Sequence, residues 1–373
     1  MKIAPFKLER YFAKYEFKAK YLLSSSDCES FTVQEILDLE VNAASRFQNH
    51  WLGYTESPGS AELREAITAL YTTIHAADLL VCTGAEEAIF LFMNCALDRG
   101  NHVIVHTPCY QSLFEIANAI GCEVTQWRTD EDNGWELDID VLRQSIKPNT
   151  KAIVFNCPHN PTGYLMSHDK QRQIVELARE HNLLIFSDEV YRELEYDPSD
   201  RLPATCDLYE NAVSLGVMSK TYGLPGLRIG WIATHNKALY DAMAGLKDYT
   251  SICNSAPSEF LSIVALHHRD KLMKRNLEII GRNLALLDDF FARHADICSW
   301  VRPKAGSFAF PCLKLDNEIE AFCVDVVEQQ NVMLVPGTCF EPDSHNFRVG
   351  FGRDNMPEAL TQFEDYLQKS LVR

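Results

Sequence analysis

A lysine amine and an arginine guanidinium stand eight residues apart in the run Ser219-Lys220-Thr221-Tyr222-Gly223-Leu224-Pro225-Gly226-Leu227-Arg228. Lysine amines condense with carbonyls in a dry pocket, and an arginine fork matches a phosphate. The pair suits a phosphorylated aldehyde. A lone lysine of this kind is more often a surface cation, so the reading needs partners. Asp188-Glu189-Val190-Tyr191 offers a carboxylate beside a phenol, and Asn160-Pro161-Thr162-Gly163 offers an amide. Arg348, in Asn346-Phe347-Arg348-Val349-Gly350, is a charge flanked by apolar residues. Such an arginine needs a carboxylate partner, from the protein or from a ligand. Gly84-Ala85-Glu86 precedes an apolar helix expected over Glu87 to Leu97, and the free N–H groups of a helix start favour phosphate. Tyr110, after Thr107-Pro108-Cys109, suits stacking on an aromatic ring or filling the core.

Three of these groups follow short apolar runs: Ala152 to Phe155, Leu183 to Phe186, and Ala212 to Val217. With Val103-Ile104-Val105, these runs read as parallel strands covered on both faces. Amphipathic stretches such as His168 to His181 and Lys271 to Phe291 alternate with them, which predicts an α/β fold. Ligands gather at the carboxyl ends of strands in such sheets. Three strand ends would therefore deliver an amide, a carboxylate with a phenol, and an amine to one region. Residues 1 to about 50 read as an arm with short helical pieces. After Trp300, short strands and helices suggest a smaller α+β part.

Bulk properties narrow the function. The chain has 373 residues, 46% of them hydrophobic, and a formal net charge of −17. That balance argues against nucleic acid and anionic membranes as partners. No apolar run is long enough to span a bilayer. The charged start Met1 to Arg10 does not read as a signal peptide. Twelve cysteines contain no C-x-x-C pair, as expected of reduced thiols in a cytoplasmic protein. His102, His106, His267 and His268 lack acidic or cysteine partners at metal-ligand spacing, so no metal is expected.

The combination of Asn160-Pro161-Thr162-Gly163, Asp188-Glu189-Val190-Tyr191 and the Ser219 to Trp231 run resembles the class I/II aminotransferases, which are fold type I pyridoxal-phosphate enzymes. The resemblance extends from Tyr54 through Gly350. It implies a large domain with a mostly parallel seven-stranded sheet and a smaller α+β domain. The implied division is 1–50 as arm and part of the small domain, 51–275 as the cofactor domain, and 276–373 as the small domain. It further implies pyridoxal 5'-phosphate bound to Lys220, which also moves protons, with Asp188 pairing the ring nitrogen. Tyr191 and Asn160 would bond the ring oxygen, and Tyr110 would stack on the ring. Gly84, Ala85, Glu86 (through their backbone), Ser219 and Arg228 would hold the phosphate. Tyr54 would reach the phosphate of a second subunit, implying a homodimer. Arg348 and Asn160 would clamp the substrate α-carboxylate. One position departs from the pattern: Val217 stands where the family commonly has Gly or Ser.

A narrower resemblance, in Glu9-Arg10-Tyr11-Phe12, Ser24-Ser25-Ser26, Pro158-His159-Asn160-Pro161 and the Tyr222 to Arg228 run, is to the capreomycidine- and enduracididine-forming cyclases. It implies elimination and ring closure on a hydroxylated arginine. Glu9, Ser25 and Asp27 on the arm would then meet the substrate, the carboxylates pairing with its guanidinium. Amino transfer to a 2-oxo acid is the alternative. A third reading, a non-catalytic ligand-sensing domain of a DNA-binding regulator, lacks any helix-turn-helix pattern.

Overall fold

The computed structural model describes residues 2–315 and 318–371. Its centre is a seven-stranded sheet: β1 (Leu79–Cys82), β2 (His102–Thr107), β3 (Glu123–Arg128), β4 (Thr150–Asn156), β5 (Leu184–Asp188), β6 (Ala212–Val217) and β7 (Gly230–Ala233). The spatial order is β1-β7-β6-β5-β4-β2-β3, and β7 alone runs antiparallel to its neighbours. Successive residues feed different cores. Val103 and Val105 of β2, with Ala152 and Val154 of β4, join one apolar cluster. Ile104, Ile153 and Phe155 join another on the opposite face. Burial on both faces is why these strands read as continuous apolar runs rather than as alternation. Strand β3 is the exception: it forms the sheet edge, and five of its six residues are partly or fully exposed. Its mixed composition, Glu123-Val124-Thr125-Gln126-Trp127-Arg128, hid it from the apolar pattern.

The helices follow their capping signals. Ser167 caps the helix His168–Glu180 by accepting from the Lys170 N–H, and Asn236 caps Lys237–Lys247 through the Leu239 N–H. The helix expected from Glu87 begins earlier and spans Gly84–Ala96, so Gly84, Ala85 and Glu86 form its first turn. The helix expected over Lys271 to Phe291 spans Arg269–Arg293 and runs without a break through residue 276.

Five short strands follow it. The strands β8 (Cys298–Ser299) and β10 (Cys312–Leu313) pair, and β9 (Phe308–Ala309), β11 (Val335–Pro336) and β12 (Phe347–Gly350) make a three-stranded antiparallel sheet. Helices Ile319–Gln330 and Met356–Leu371 cover this part. One apolar cluster runs continuously from β2 and β4 into Phe308, Phe347 and Phe363.

The N-terminal arm is stitched to the end of β12. The Gly350 N–H donates to the Leu23 carbonyl at 3.2 Å, and the Glu29 N–H donates to the Gly352 carbonyl at 2.8 Å. A Cβ at Gly350 would lie 1.9 Å from the Ser25 carbonyl oxygen, and one at Gly352 would lie 2.6 Å from that of Asp27. Glycine at both positions lets the segment Leu23–Glu29 pass at backbone contact. Among the described residues, no helix is long and apolar enough to cross a membrane.

Candidate active site

A cavity of about 390 Å³ opens beyond the carboxyl ends of β4, β5 and β6, where the β4–β5–β6 loops meet the arm and β12. Strand β5 ends on Asp188, which lies buried in the cavity wall. Its backbone carbonyl accepts from Asn156 Nδ2 at 2.8 Å and from the Cys157 N–H at 3.0 Å. Burial pushes the Asp188 carboxyl up to about 7. The Val190 N–H, 3.3 Å from Oδ1, and the Lys220 charge oppose that shift. An acid held this way awaits a cationic partner.

Lys220 follows β6, with its Nζ donating to Ser26 Oγ at 3.0 Å. The amine lies 6.0 Å from the Tyr191 ring centroid. The two loops are tied together: Thr221 Oγ1 donates to the Arg192 carbonyl at 2.8 Å, and Tyr222 OH donates to Glu193 Oε2 at 2.8 Å. The Tyr191 ring is buried edge-on against Phe308, with centroids 4.7 Å apart.

One corner of the cavity is built for an anion. Among the described residues, no side chain caps the first N–H groups of the helix Gly84–Ala96. Gly84 has φ +80°, and a Cβ there would lie 2.5 Å from Arg228 Nη2. The guanidinium therefore sits directly over the helix start. Its Nη1 donates only to the Pro225 carbonyl, at 3.3 Å, and no carboxylate lies within ion-pair range among the described residues. Ser219 Oγ is buried in the same cavity and has no hydrogen-bond partner among the described residues. An uncapped helix start, an unpaired guanidinium and an orphaned hydroxyl fit a phosphate. Val217 also lines the cavity, and it presents methyl groups where a hydroxyl would bond.

A second arginine lines the same cavity. Arg348, on β12, is 1% exposed, and burial lowers its proton affinity. Its Nε and Nη2 donate to the Ser24 carbonyl at 3.1 and 2.9 Å, and Nη1 donates to Asn160 Oδ1 at 3.0 Å. Among the described residues it has no carboxylate partner. Asn160 is held in turn, its N–H donating to Asn156 Oδ1 at 2.6 Å. Beside it, His159 Nδ1 bonds Thr162 Oγ1 at 2.7 Å, and its ring stacks on His106 at 3.8 Å. Burial keeps both imidazoles neutral by lowering their proton affinity, that of His159 to about 3.

The arm closes the mouth. The helix Lys7–Tyr15 places Glu9 so that its Oε1 accepts from Tyr110 OH at 3.4 Å. The Tyr110 ring packs on Phe6, with centroids 4.9 Å apart. Ser25 and Asp27 line the cavity, but Asp27 Oδ2 is already paired with Arg353 Nη2 at 2.8 Å. Two polar cavity residues escaped the sequence reading. Ser26, and not Ser25, meets the lysine amine. Glu16 lines the cavity beside Glu9 and Asp27; burial and then those two charges raise its carboxyl above the usual range. Its spacing of seven from Glu9, two helical turns, was the available signal. Tyr54 lies apart from the cavity and is 89% exposed.

The profile of the family described as aminotransferase class I and II matches residues 18–363. The capreomycidine synthase of Streptomyces vinaceus is 27% identical over 364 residues, covering 96% of this chain and 93% of that protein. The glutamate-pyruvate aminotransferase AlaA of Escherichia coli K12 is 29% identical over 342 residues, covering 84% and 82%. Among solved structures, a pyridoxal-phosphate-dependent aminotransferase from Streptococcus suis 89-1591 superposes with a TM-score of 0.93 at 32% identity, over 99% of both proteins. The pyridoxal-phosphate-dependent cyclase OrfR superposes with a TM-score of 0.91 at 29% identity, over 99% of this protein and 98% of that one. The match to the family profile starts after the arm helix and spans the rest of the arm, the sheet and most of the C-terminal part, and the protein belongs to the aminotransferase class I and II family of pyridoxal-phosphate-dependent enzymes.

Proposed function

We propose that this enzyme acts on a free α-amino acid with a cationic side chain, a hydroxylated arginine, and closes it into a ring. The observation that carries the reading is the pair Glu9 and Glu16. Both line the cavity, Glu9 from the arm helix and Glu16 from its C-cap, and neither has an ion-pair partner among the described residues. Carboxylates converging on a partly buried site without a direct ion pair favour a guanidinium ligand. The likeness to a capreomycidine synthase and to a cyclase supports it.

Pyridoxal phosphate, when bound, supplies an electron sink for the charge left at the substrate α-carbon. Arg228, Ser219 and the N–H groups of Gly84, Ala85 and Glu86 would hold its phosphate. Asp188 would pair with its ring nitrogen, Tyr191 and Asn160 with its ring oxygen, and Tyr110 would cover its face. Arg348, braced by Asn160, binds the α-carboxylate. Lys220 takes the α-proton and later returns it. In the cyclisation three substrate bonds break: the C–H bond at the α-carbon, the bond between the hydroxyl oxygen and its carbon, and one guanidine N–H bond. A guanidine nitrogen then bonds the carbon that has become electrophilic. The nitrogen gives up its proton, the α-carbon regains one, and water is the only by-product.

Amino transfer to a 2-oxo acid is the second reading, favoured by the likeness to glutamate-pyruvate aminotransferase. Incubation with hydroxyarginine alone, beside a panel of amino acids with 2-oxoglutarate, separates the two. Ring product without oxo acid is expected. Glutamate formed from several amino acids would reject cyclisation.

The working form we propose is a cytoplasmic homodimer, with Tyr54 reaching the phosphate of the second copy. Trp51, Leu52 and Tyr54 are exposed beside exposed Tyr249 and Ile252, and Thr55 Oγ1 joins the two loops through the Asn254 carbonyl at 3.1 Å. Such an apolar patch suits a second copy. All twelve cysteines are free, as in a reducing compartment. Sedimentation should give a dimer that Trp51→Glu weakens.

A further inference from the structure

A hydroxyl leaves carbon poorly as hydroxide and readily as water, so the cyclisation needs an acid at the departing oxygen. Glu9 and Glu16 are set against the guanidinium, and Arg348 against the α-carboxylate. Ser26 of the arm is free for the task. Its hydroxyl accepts from Lys220 Nζ at 3.0 Å, and among the described residues nothing accepts its own proton. The residue is buried and lines the cavity. Backbone contacts fix it there. Ser307 Oγ donates to the Ser26 carbonyl at 3.0 Å, and the Ser24 carbonyl accepts from Arg348 Nε and Nη2. On the other side, Asp27 is paired with Arg353. The arm thus passes from the arginine at Ser24 to the amine at Ser26. A substrate held at its α-carboxylate by Arg348 presents its α-carbon to Lys220, and the carbons beyond it to the hydroxyl beside that amine.

We infer that Ser26 is a catalytic residue, the relay that carries a proton from Lys220 to the departing hydroxyl; the inference rests on the cyclisation proposed above. When Lys220 takes the α-proton it becomes an ammonium with three N–H donors. The N–H bond already directed at Ser26 Oγ breaks as the Ser26 O–H bond breaks towards the substrate oxygen. That oxygen gains the proton, keeps the electron pair of its bond to carbon and leaves as water. The pair left at the α-carbon makes good the pair that the oxygen carries away. Ser26 ends with one proton, as it began. The nitrogen that closes the ring then gives its proton back to the amine by the same path, and Lys220 returns a proton to the α-carbon. No oxidant or reductant enters.

The test compares the full-length wild type with Ser26→Ala in deuterated water. Arginine lacks the departing hydroxyl, so deuterium gained at its α-carbon reports α-proton removal alone. Hydroxyarginine reports the whole sequence through the ring product. With the cofactor-loaded proteins, ring formation should fall about fivefold further than arginine exchange, as the loss of one hydrogen bond at the departing oxygen implies. Hydroxyarginine recovered from the variant should carry correspondingly more α-deuterium per ring formed. A second measurement uses the cofactor-free proteins. An amine-acylating reagent should label the Lys220 peptide about fivefold faster in Ser26→Ala, because the amine has lost the oxygen that holds one of its protons. Equal falls in ring formation and arginine exchange would overturn the relay and leave Ser26 a positioning residue. Equal labelling of the two proteins would remove the contact that the relay needs. Failure of the wild type to close a ring on hydroxyarginine would instead reject the cyclisation.

Discussion

Ser26 and Lys220 are 194 residues apart in the sequence and meet at 3.0 Å, hydroxyl to amine. The contact brings the arm to the cavity floor and orients the amine before any ligand arrives. Removing one such bond costs about 1 kcal/mol, close to a fivefold change in rate. Ser26→Ala should therefore lower kcat about fivefold, while borohydride still fixes the cofactor on the Lys220 peptide. Lys220→Ala should leave no fixed cofactor. Both are read by peptide mass analysis beside steady-state rates.

Asp188 should trade stability for function. Its folded-state acidity lies near 7, above the ordinary carboxyl value of 3.8. The native state thus binds the extra proton, and stability falls as pH rises from about 4 through 7. The penalty is complete above about 7. Cofactor-free Asp188→Asn should melt higher than the wild type at about pH 8, with the gap closing towards about pH 4. Its kcat should fall about a hundredfold or more, because a neutral amide cannot keep the ring nitrogen charged. A wild type that melts at the same temperature across this range would contradict the placement.

Arg348 lines the cavity, where we propose that it reads the substrate carboxylate. Lysine cannot reproduce the fork that now bonds Ser24 and Asn160 together. Arg348→Lys should raise KM for the amino acid about thirtyfold or more, with cofactor affinity unchanged. Equal loss of cofactor affinity would place Arg348 in the cofactor site instead.

Glu9 and Glu16 should act differently from Asp27. Glu9→Gln and Glu16→Gln should each raise KM for an arginine-like substrate about tenfold and leave a neutral amino acid within about twofold. Asp27→Asn breaks the ion pair with Arg353 and should lower the melting temperature more than it changes selectivity. Paired kinetics on the two substrates, with thermal melts, decide this.

Gly84→Ala tests the anion corner. The added Cβ meets Arg228 Nη2 at 2.5 Å, in a backbone conformation that disfavours any side chain. Cofactor affinity should fall about tenfold or more by fluorescence titration, with a normal far-ultraviolet spectrum.

The sequence by itself determined the chemistry and the strand ends that present it. Continuous apolar runs arise where both faces of a strand are buried, so β2, β4, β5 and β6 were legible, and with them Asn160, Asp188 and Lys220. Edge strand β3 was not, because half-exposed residues carry no such run. Contacts made across the fold could only come from tertiary structure. The Ser26 contact with Lys220 and the pairing of Asp27 with Arg353 join residues 194 and 326 positions apart. Local pattern reports which face a residue takes; it is silent on which distant group waits there. That is why a row of similar polar residues on the arm, Glu9, Glu16, Ser25, Ser26 and Asp27, could be sorted into amine contact, unpaired carboxylate and structural ion pair only by the packing of the arm against Gly350 and Gly352.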